Sequence, residues 1–217
     1  MPVRSPFPDV SVPPVDVATY FFSRAQKKRD HRAASGLADE PPLLVDGETG
    51  ESLTFSELKR VSESVAAALV SRGFSLDTKV PGGGLGHVAA VYSPPTIRMC
   101  AVNYGALIAG GAYVPIAPDM TGLALAQRLE EVRASVVFVA PQLLAQLLEA
   151  VRQLPFDIPD SHIILTRGNQ ASFDSVDSLA SVPNGTMLER LACADVDVTE
   201  NAALVVYTSG STGQPKG

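Results

Sequence analysis

The sequence has little of what metal centres and disulfide frameworks are made from. Among 217 residues there are two cysteines, three histidines and no tryptophan. Cys100 and Cys193 are far apart, and neither belongs to a CxxC pair or to another spacing of metal ligands. His31, His87 and His162 are equally scattered and match no zinc motif. We therefore predict no metal site, and we expect both cysteines to be reduced and buried, as in an intracellular protein.

Charge is scarce as well, and the balance is acidic. Charged residues make up 18 % of the chain, against about 25 % in a typical globular domain. Seventeen basic and twenty-three acidic residues give a net charge of −6, which argues against a nucleic-acid partner. The densest basic run, residues 24–32, is short, and such a run is typical of a solvated helix face. We therefore expect no nucleic-acid binding.

Apolar segments of the kind that target or anchor a chain in a membrane are also missing. Five prolines interrupt the first 14 residues, which argues against the apolar core of a signal peptide. The longest uncharged run, residues 99–118, has the length of a membrane span, but it contains Gly110, Gly111 and Pro115. We predict a core helix followed by a buried strand there, and no membrane span.

The first part of the chain divides at about residue 42. Residues 1–42 are predicted to form a proline-rich extended segment and a first helix, over residues 17–32. Apolar residues 43–45 and residues 51–54 flank an Asp-Gly turn and predict a hairpin. Thr54 and Glu57 form a capping box, which begins a helix that Gly73 ends in a left-handed conformation.

Residues 43–217 form the second part, in which strands and helices alternate. Strands are predicted at residues 88–92, 112–116, 135–140, 163–165 and 202–207. Helices are predicted after Ser93 and Pro94, with Ser93 as the N-cap, and at residues 121–133, 141–154 and 186–191, while residues 172–184 read as an exposed loop. This alternation predicts an α/β fold with a layered parallel sheet. Residues 202–207 are all apolar or aromatic, so we expect that strand to be buried on both faces.

The last eleven residues, Tyr-Thr-Ser-Gly-Ser-Thr-Gly-Gln-Pro-Lys-Gly, follow this apolar strand directly. Glycines let a backbone approach a ligand closely, consecutive N–H groups can bind an anion, and a lysine supplies positive charge. The sequence therefore predicts a phosphate-binding loop at the end of a strand, where α/β folds bind ligands. Its predicted contacts are Thr208, Ser209, Gly210, Ser211, Thr212, Gly213 and Lys216.

Other interpretations of the glycines are less favoured. A flexible Gly/Ser linker fits the composition of the terminal loop but not its position after a core strand. The loop is not a Walker A motif, because Lys216 follows a proline and is followed by a glycine. Residues 82–86 are glycine-rich too, but they precede a strand, whereas a dinucleotide-binding loop must follow one. The carboxylates Asp119, Glu130, Glu131 and Asp195 are scattered and are expected to be solvated.

Residues 207–217 resemble the phosphate-binding loop of the adenylate-forming superfamily, which includes acyl- and aryl-CoA ligases, luciferases and peptide-synthetase adenylation domains. Residues 106–118, Ala-Leu-Ile-Ala-Gly-Gly-Ala-Tyr-Val-Pro-Ile-Ala-Pro, resemble a helix–strand segment that these enzymes carry upstream. Residues 53–58, Leu-Thr-Phe-Ser-Glu-Leu, resemble one of their helix starts, and residues 6–10 look like the N-terminus of 4-coumarate–CoA ligase-like enzymes.

The resemblance implies an incomplete N-terminal subdomain, with residues 43–217 as a partial AMP-binding domain. It implies ATP, Mg²⁺ and coenzyme A as cofactors, a small carboxylic acid as substrate, and a location in the cytoplasm or the peroxisome. The main partner would be the missing C-terminal portion of the same enzyme. No catalytic residue is identified, so we expect the chain alone to be inactive.

Two alternatives stay open. One is a partial adenylation domain of a nonribosomal peptide synthetase, which residues 110–116 also favour. The other is a truncated, non-catalytic remnant that acts only by binding a partner.

Overall fold

The computed structural model describes residues 13–37, 39–75, 86–168, 170, 172–180, 189 and 201–207. A five-stranded parallel sheet forms their centre, helices cover both of its faces, and a two-stranded hairpin lies beside it. This mixed α/β architecture with a parallel sheet confirms the predicted fold class.

Helix α1 (Val17–Ala34) begins at Asp16, whose carboxylate accepts a hydrogen bond from the Thr19 N–H at 2.8 Å. It buries Ala18 and Phe22 and exposes most of its basic residues, as expected for a solvated helix face. The ring of Phe21 stacks on that of Tyr104, with centroids 4.6 Å apart, and so docks α1 on the helical layer.

The predicted hairpin is confirmed as β1 (Pro42–Val45) paired antiparallel with β2 (Ser52–Thr54). In its turn the Asp46 carboxylate accepts hydrogen bonds from the N–H groups of Glu48 and Thr49, which lower the pKa of Asp46. Helix α2 (Phe55–Val70) begins with the predicted capping box.

The parallel sheet contains β3 (Val88–Tyr92), β4 (Ala112–Ile116), β5 (Val136–Val139), β6 (Ile163–Leu165) and β7 (Asp174–Ser175), in the order β4-β3-β5-β6-β7. Its helices are α3 (Ile97–Ile108), α4 (Gly122–Glu131), α5 (Leu144–Val151) and α6 (Val176–Ala180), with short 3-10 turns at Pro141–Leu143 and Asp160–His162. One apolar core joins the sheet to α1, α2 and α3, and a second joins its other face to α4 and α5.

Two predicted features of this part are wrong. Ser93 is not the N-cap of α3, because the two prolines after it disfavour helical angles in the residues before them. The helix begins instead at Ile97 with Thr96 as N-cap, and the buried Ser93 hydroxyl donates to the Pro94 carbonyl at 2.9 Å.

The second error concerns residues 172–184, which were predicted as an exposed loop. Residues 174–180 form β7 and α6, with Val176 buried in the core. The Ser175 hydroxyl accepts a hydrogen bond from the Ser178 N–H at 3.1 Å. Serine and aspartate favour caps as well as loops, so composition alone did not separate the two.

Residues 201–207, called the pre-loop segment below, run parallel to β4. The Tyr113 N–H donates to the Ala203 carbonyl at 3.1 Å, and the Val205 N–H donates to the Tyr113 carbonyl at 3.0 Å. The prediction that this segment is buried on both faces is wrong, because Leu204 and Val206 are 51 % and 55 % exposed. Among the described residues the segment lies at the sheet edge, and its Val205 and Tyr207 side chains pack on the α4–α5 core. The helix predicted at residues 186–191 lies outside the described residues, apart from residue 189.

Candidate phosphate-binding site

The pre-loop segment leads the chain toward the carboxyl edge of the sheet. Leu204 lies level with Tyr113 near the start of β4, and the two chains run in the same direction. Tyr207 is therefore three residues further along, close to the level where β4 ends at Ile116. In open α/β sheets this edge is where ligands bind.

The predicted phosphate contacts follow Tyr207 directly in sequence. All seven of them, Thr208, Ser209, Gly210, Ser211, Thr212, Gly213 and Lys216, lie outside the described residues. Their contacts with phosphate therefore stay a prediction, and the described part of the site consists of the strand ends and connections beside Tyr207. Most of the glycine-rich stretch at residues 82–86 also lies outside the described part of the chain.

A buried tyrosine fixes the connection between β4 and α4 next to this edge. The Tyr92 hydroxyl lies 2.6 Å from the Met120 carbonyl and 2.9 Å from Gln146 Oε1. Burial, and then the negative charge of Asp119, raise the pKa of Tyr92. The phenol therefore stays neutral at physiological pH and donates its proton to hold the connection in place.

The connection between β3 and α3 contributes a second polar group that the sequence did not reveal. Thr96 Oγ1 is buried, and it has no hydrogen-bond partner within the described ranges. Thr96 follows a proline pair and precedes a helix, which is the only sequence signal for its position.

The closest described contact to the predicted loop is between Arg128 and Tyr207. Arg128 extends from α4 and is 8 % exposed. Its guanidinium carbon lies 3.1 Å from the centroid of the Tyr207 ring, and its Nη1 lies 3.7 Å from Glu131 Oε2. Burial raises the pKa of Tyr207, the positive charge of Arg128 opposes this, and Glu131 adds to the increase.

Sequence reasoning did not single out Arg128. The available signal was an arginine within the apolar stripe of α4, between the buried residues Leu125 and Leu129. The scattered carboxylates Asp119, Glu130 and Glu131 are exposed as predicted, and Asp195 lies outside the described residues.

The described residues do not by themselves fit a magnesium ion. In the ranges that the structure covers, no group of three histidine, cysteine, aspartate or glutamate side chains is placed to hold a metal. Any Mg²⁺ that accompanies ATP would be held by its phosphates and by residues outside those ranges. Among the described helices, none is both long and apolar enough to cross a bilayer.

Comparisons with known sequences and solved structures agree on one protein family. The chain is 27 % identical to the peroxisomal OPC-8:0-CoA ligase 1 of Arabidopsis thaliana, over 99 % of the chain and 34 % of the relative. It is 32 % identical to surfactin synthase subunit 1 of Bacillus subtilis, over 82 % of the chain and 4 % of that much longer protein. The structure of the luciferase-like enzyme from the mealworm Zophobas morio matches with a TM-score of 0.71 at 18 % identity, over 93 % of this chain and 41 % of that one.

The chain thus spans about a third of the Arabidopsis ligase that it matches almost throughout its own length. The structural likeness shows the same fold, again over less than half of the solved enzyme, so the predicted incompleteness of the fold is confirmed. The family of AMP-binding enzymes matches residues 21–217, which is nearly the whole chain. The chain belongs to the AMP-binding enzyme family, as the resemblance of its terminal loop predicted.

Proposed function

We propose that the chain is the N-terminal part of an ATP-dependent ligase that activates a carboxylic acid, and that residues 208–216 hold the phosphates of ATP. The observation that carries this proposal is the parallel pairing of the pre-loop segment with β4, which brings Tyr207, the residue before Thr208 in sequence, to the carboxyl edge of the sheet. A loop of this composition needs such an edge, because there its N–H groups can converge on an anion without competing with strand pairing.

The loop would act by positioning and by charge compensation. Its glycines allow the backbone to approach the phosphates, its four hydroxyls donate hydrogen bonds, and Lys216 compensates negative charge. A substrate carboxylate then attacks the α-phosphorus of ATP, giving an acyl-adenylate and pyrophosphate. A thiol displaces AMP in the second half-reaction. The first step needs orientation and electrostatic stabilisation more than covalent help from the protein.

We propose coenzyme A as the acceptor thiol. The match to the Arabidopsis CoA ligase extends over 99 % of the chain and so includes the segment before the hairpin, whereas the match to surfactin synthase covers 82 %. The higher identity of the latter, 32 %, keeps a peptide-synthetase adenylation domain as the second candidate. We expect the protein to act in the cytoplasm or in the peroxisome, the compartment named for the Arabidopsis relative.

We further propose that residues 43–217 are a partial adenylation domain that is inactive without more of the enzyme. The family match begins at residue 21, inside α1, so the boundary at residue 42 stays a prediction. The chain spans 34 % of the length of the Arabidopsis ligase, and the partner that would complete its site is the remaining portion of the same enzyme.

Calorimetric titration of the purified 217-residue chain tests the phosphate loop. We expect binding of Mg-ATP and of pyrophosphate but not of adenosine, because the loop recognises phosphate. The variant Lys216→Ala should weaken binding at least about tenfold through loss of a charge-assisted contact. Lys27→Ala is the matched control, since Lys27 is an exposed lysine on α1.

The proposal fails if neither ATP nor pyrophosphate binds, or if both lysine variants weaken binding equally. A separate assay follows the exchange of labelled pyrophosphate into ATP in the presence of mixed carboxylic acids. Exchange above background by this chain would contradict the proposal that it is inactive alone.

A further inference from the structure

Arg128 is buried without the partners that a buried charge normally requires. It is 8 % exposed, and its Nε and Nη1 are buried with no hydrogen-bond partner among the described residues. The Glu131 carboxylate is 3.7 Å from Nη1, beyond hydrogen-bonding distance, and the Glu131 side chain is 56 % exposed. Because an unpaired buried cation destabilises a fold, this weak ion pair does not account for the position of Arg128.

The contact that does account for it is the ring of Tyr207. The planar guanidinium lies 3.1 Å from the ring centroid, and arginine stacks on aromatic faces in this way through cation–π attraction. Helical side chains lean toward the N-terminus of their helix, and α4 begins at the carboxyl edge of the sheet, directly after β4. Arg128 therefore reaches from α4 toward the edge at which the pre-loop segment ends.

A contact at Tyr207 contributes most to holding the end of the pre-loop segment in place. The backbone of the pre-loop segment is bonded to β4 through Ala203 and Val205, and the described residues show no backbone hydrogen bond beyond Val205. Val206 is 55 % exposed. The side chain of Tyr207, partly buried against the α4–α5 core, therefore holds this end of the pre-loop segment.

We propose that Arg128 is a positioning residue: by stacking on Tyr207 it fixes the end of the pre-loop segment, which directly precedes the predicted phosphate loop in sequence. The effect of this positioning on nucleotide binding rests on the proposed function, but the positioning itself does not. A loop that donates several hydrogen bonds to phosphate must be held in place before the ligand arrives, because ordering it during binding would weaken the affinity.

Amide hydrogen exchange of the full 217-residue chain, read by mass spectrometry on peptides covering residues 201–217, tests this role. We expect Arg128→Met and Tyr207→Leu each to accelerate exchange in these peptides by about tenfold. The double variant should exchange no faster than Tyr207→Leu alone, because that variant already removes the contact with Arg128. Tyr207→Phe should stay near wild type, since the ring remains, and Arg128→Lys should fall between wild type and Arg128→Met.

The control is Arg152→Met, which removes an exposed arginine after α5 and should leave exchange unchanged. A purely structural role would raise exchange equally in peptides of β4 and α4, in step with the fall in unfolding free energy, and that outcome would overturn the proposal. Additive effects of the two single variants would overturn it as well. If Arg128→Met does not fold, Arg128→Lys and the two Tyr207 variants decide the question.

Nucleotide binding by the same variants separates this proposal from the proposed function. If the wild-type chain binds neither ATP nor pyrophosphate, the proposed function fails while the exchange pattern still decides the role of Arg128. If the wild type binds ATP and Arg128→Met leaves both exchange and affinity unchanged, the positioning role fails and the proposed function stands.

Discussion

Gly105 lies where α3 packs on α2, and the space at this point admits no side chain. A Cβ on Gly105 would lie 2.5 Å from Val65 Cγ1 and 3.0 Å from the Ser62 carbonyl oxygen. Val65 is fully buried in the core, so neither neighbour has room to move away.

We therefore predict that Gly105→Ala destabilises the protein. Overpacking costs about 1–3 kcal/mol, whereas alanine gains about 1 kcal/mol over glycine inside a helix, so the unfolding free energy should fall by up to about 2 kcal/mol. Urea denaturation measures the change. Gly47→Ala is the control, because a Cβ at that turn position meets nothing within 4 Å; a stable Gly105→Ala variant would show that the two helices can separate freely.

Single residues also mark the limit of prediction from sequence. Thr54 and Glu57 could be assigned roles because a capping box depends on residues three apart in the chain. The role of Arg128 depends on Tyr207, which is distant in sequence, and on which face of α4 turns to the sheet. No local pattern contains that information, so the sequence alone assigned no role to an arginine within an apolar stripe.

Among the secondary-structure elements, α2 has the most completely defined start. The Thr54 hydroxyl accepts from the Glu57 N–H at 3.2 Å, and the Glu57 carboxylate accepts from the Thr54 N–H at 2.8 Å. The Thr54 N–H and, at 3.0 Å, the Thr54 hydroxyl both donate to the Glu57 carboxylate, and these two bonds lower the pKa of Glu57 below its ordinary value of 4.5.

This arrangement predicts a pH dependence with a definite sign. Because the folded pKa of Glu57 is lowered, its contribution is present above about pH 4.5 and is lost as the pH falls through the folded value. Thr54→Ala should lower the unfolding free energy by about 1 kcal/mol at pH 7. Glu57→Gln should be less stable than wild type at pH 7, with the difference shrinking in acid.

Denaturation of wild type and Glu57→Gln at pH 7 and pH 3.5 measures this difference. Asp46 also has a lowered pKa, but it titrates in both proteins and cancels in the comparison. A difference that is equal at the two pH values would show that the carboxylate charge does not contribute to the cap.

Elements with a clear sequence pattern could be predicted, whereas two short elements without one could not. The strands β3 and β4 were placed correctly at residues 88–92 and 112–116, because five-residue apolar runs bounded by turns favour buried strands. The two-residue β7 and the five-residue α6 were missed, since neither is long enough to show a period. Their stability comes from packing on β6 and α2, which the local sequence does not encode.

At the scale of the whole molecule, the order of the strands decides how an apolar run is used. Residues 202–207 are as apolar as β3, yet β3 lies in the middle of the sheet and is fully buried, while the pre-loop segment lies at its edge. The sequence could predict a parallel sheet from alternating elements, but position within a sheet depends on tertiary pairing. The apolar composition of residues 202–207 therefore predicted that they run parallel to the other strands, but it did not predict how much of the segment is exposed.

This exposed edge predicts how the chain behaves in solution. Leu204 and Val206 are exposed, whereas Val205 and Tyr207 pack on the α4–α5 core, and the described residues contain no strand paired with the outer edge of this segment. An unpaired apolar edge favours edge-to-edge association. We expect the wild-type chain to self-associate as its concentration rises, and Val206→Lys to reduce this association by placing a charge on the edge. Sedimentation velocity over a concentration series measures both. Leu123→Lys is the matched control, since Leu123 is 64 % exposed and belongs to α4 and not to the pre-loop segment; if it reduces association as much as Val206→Lys does, general surface charge and not the sheet edge controls the behaviour.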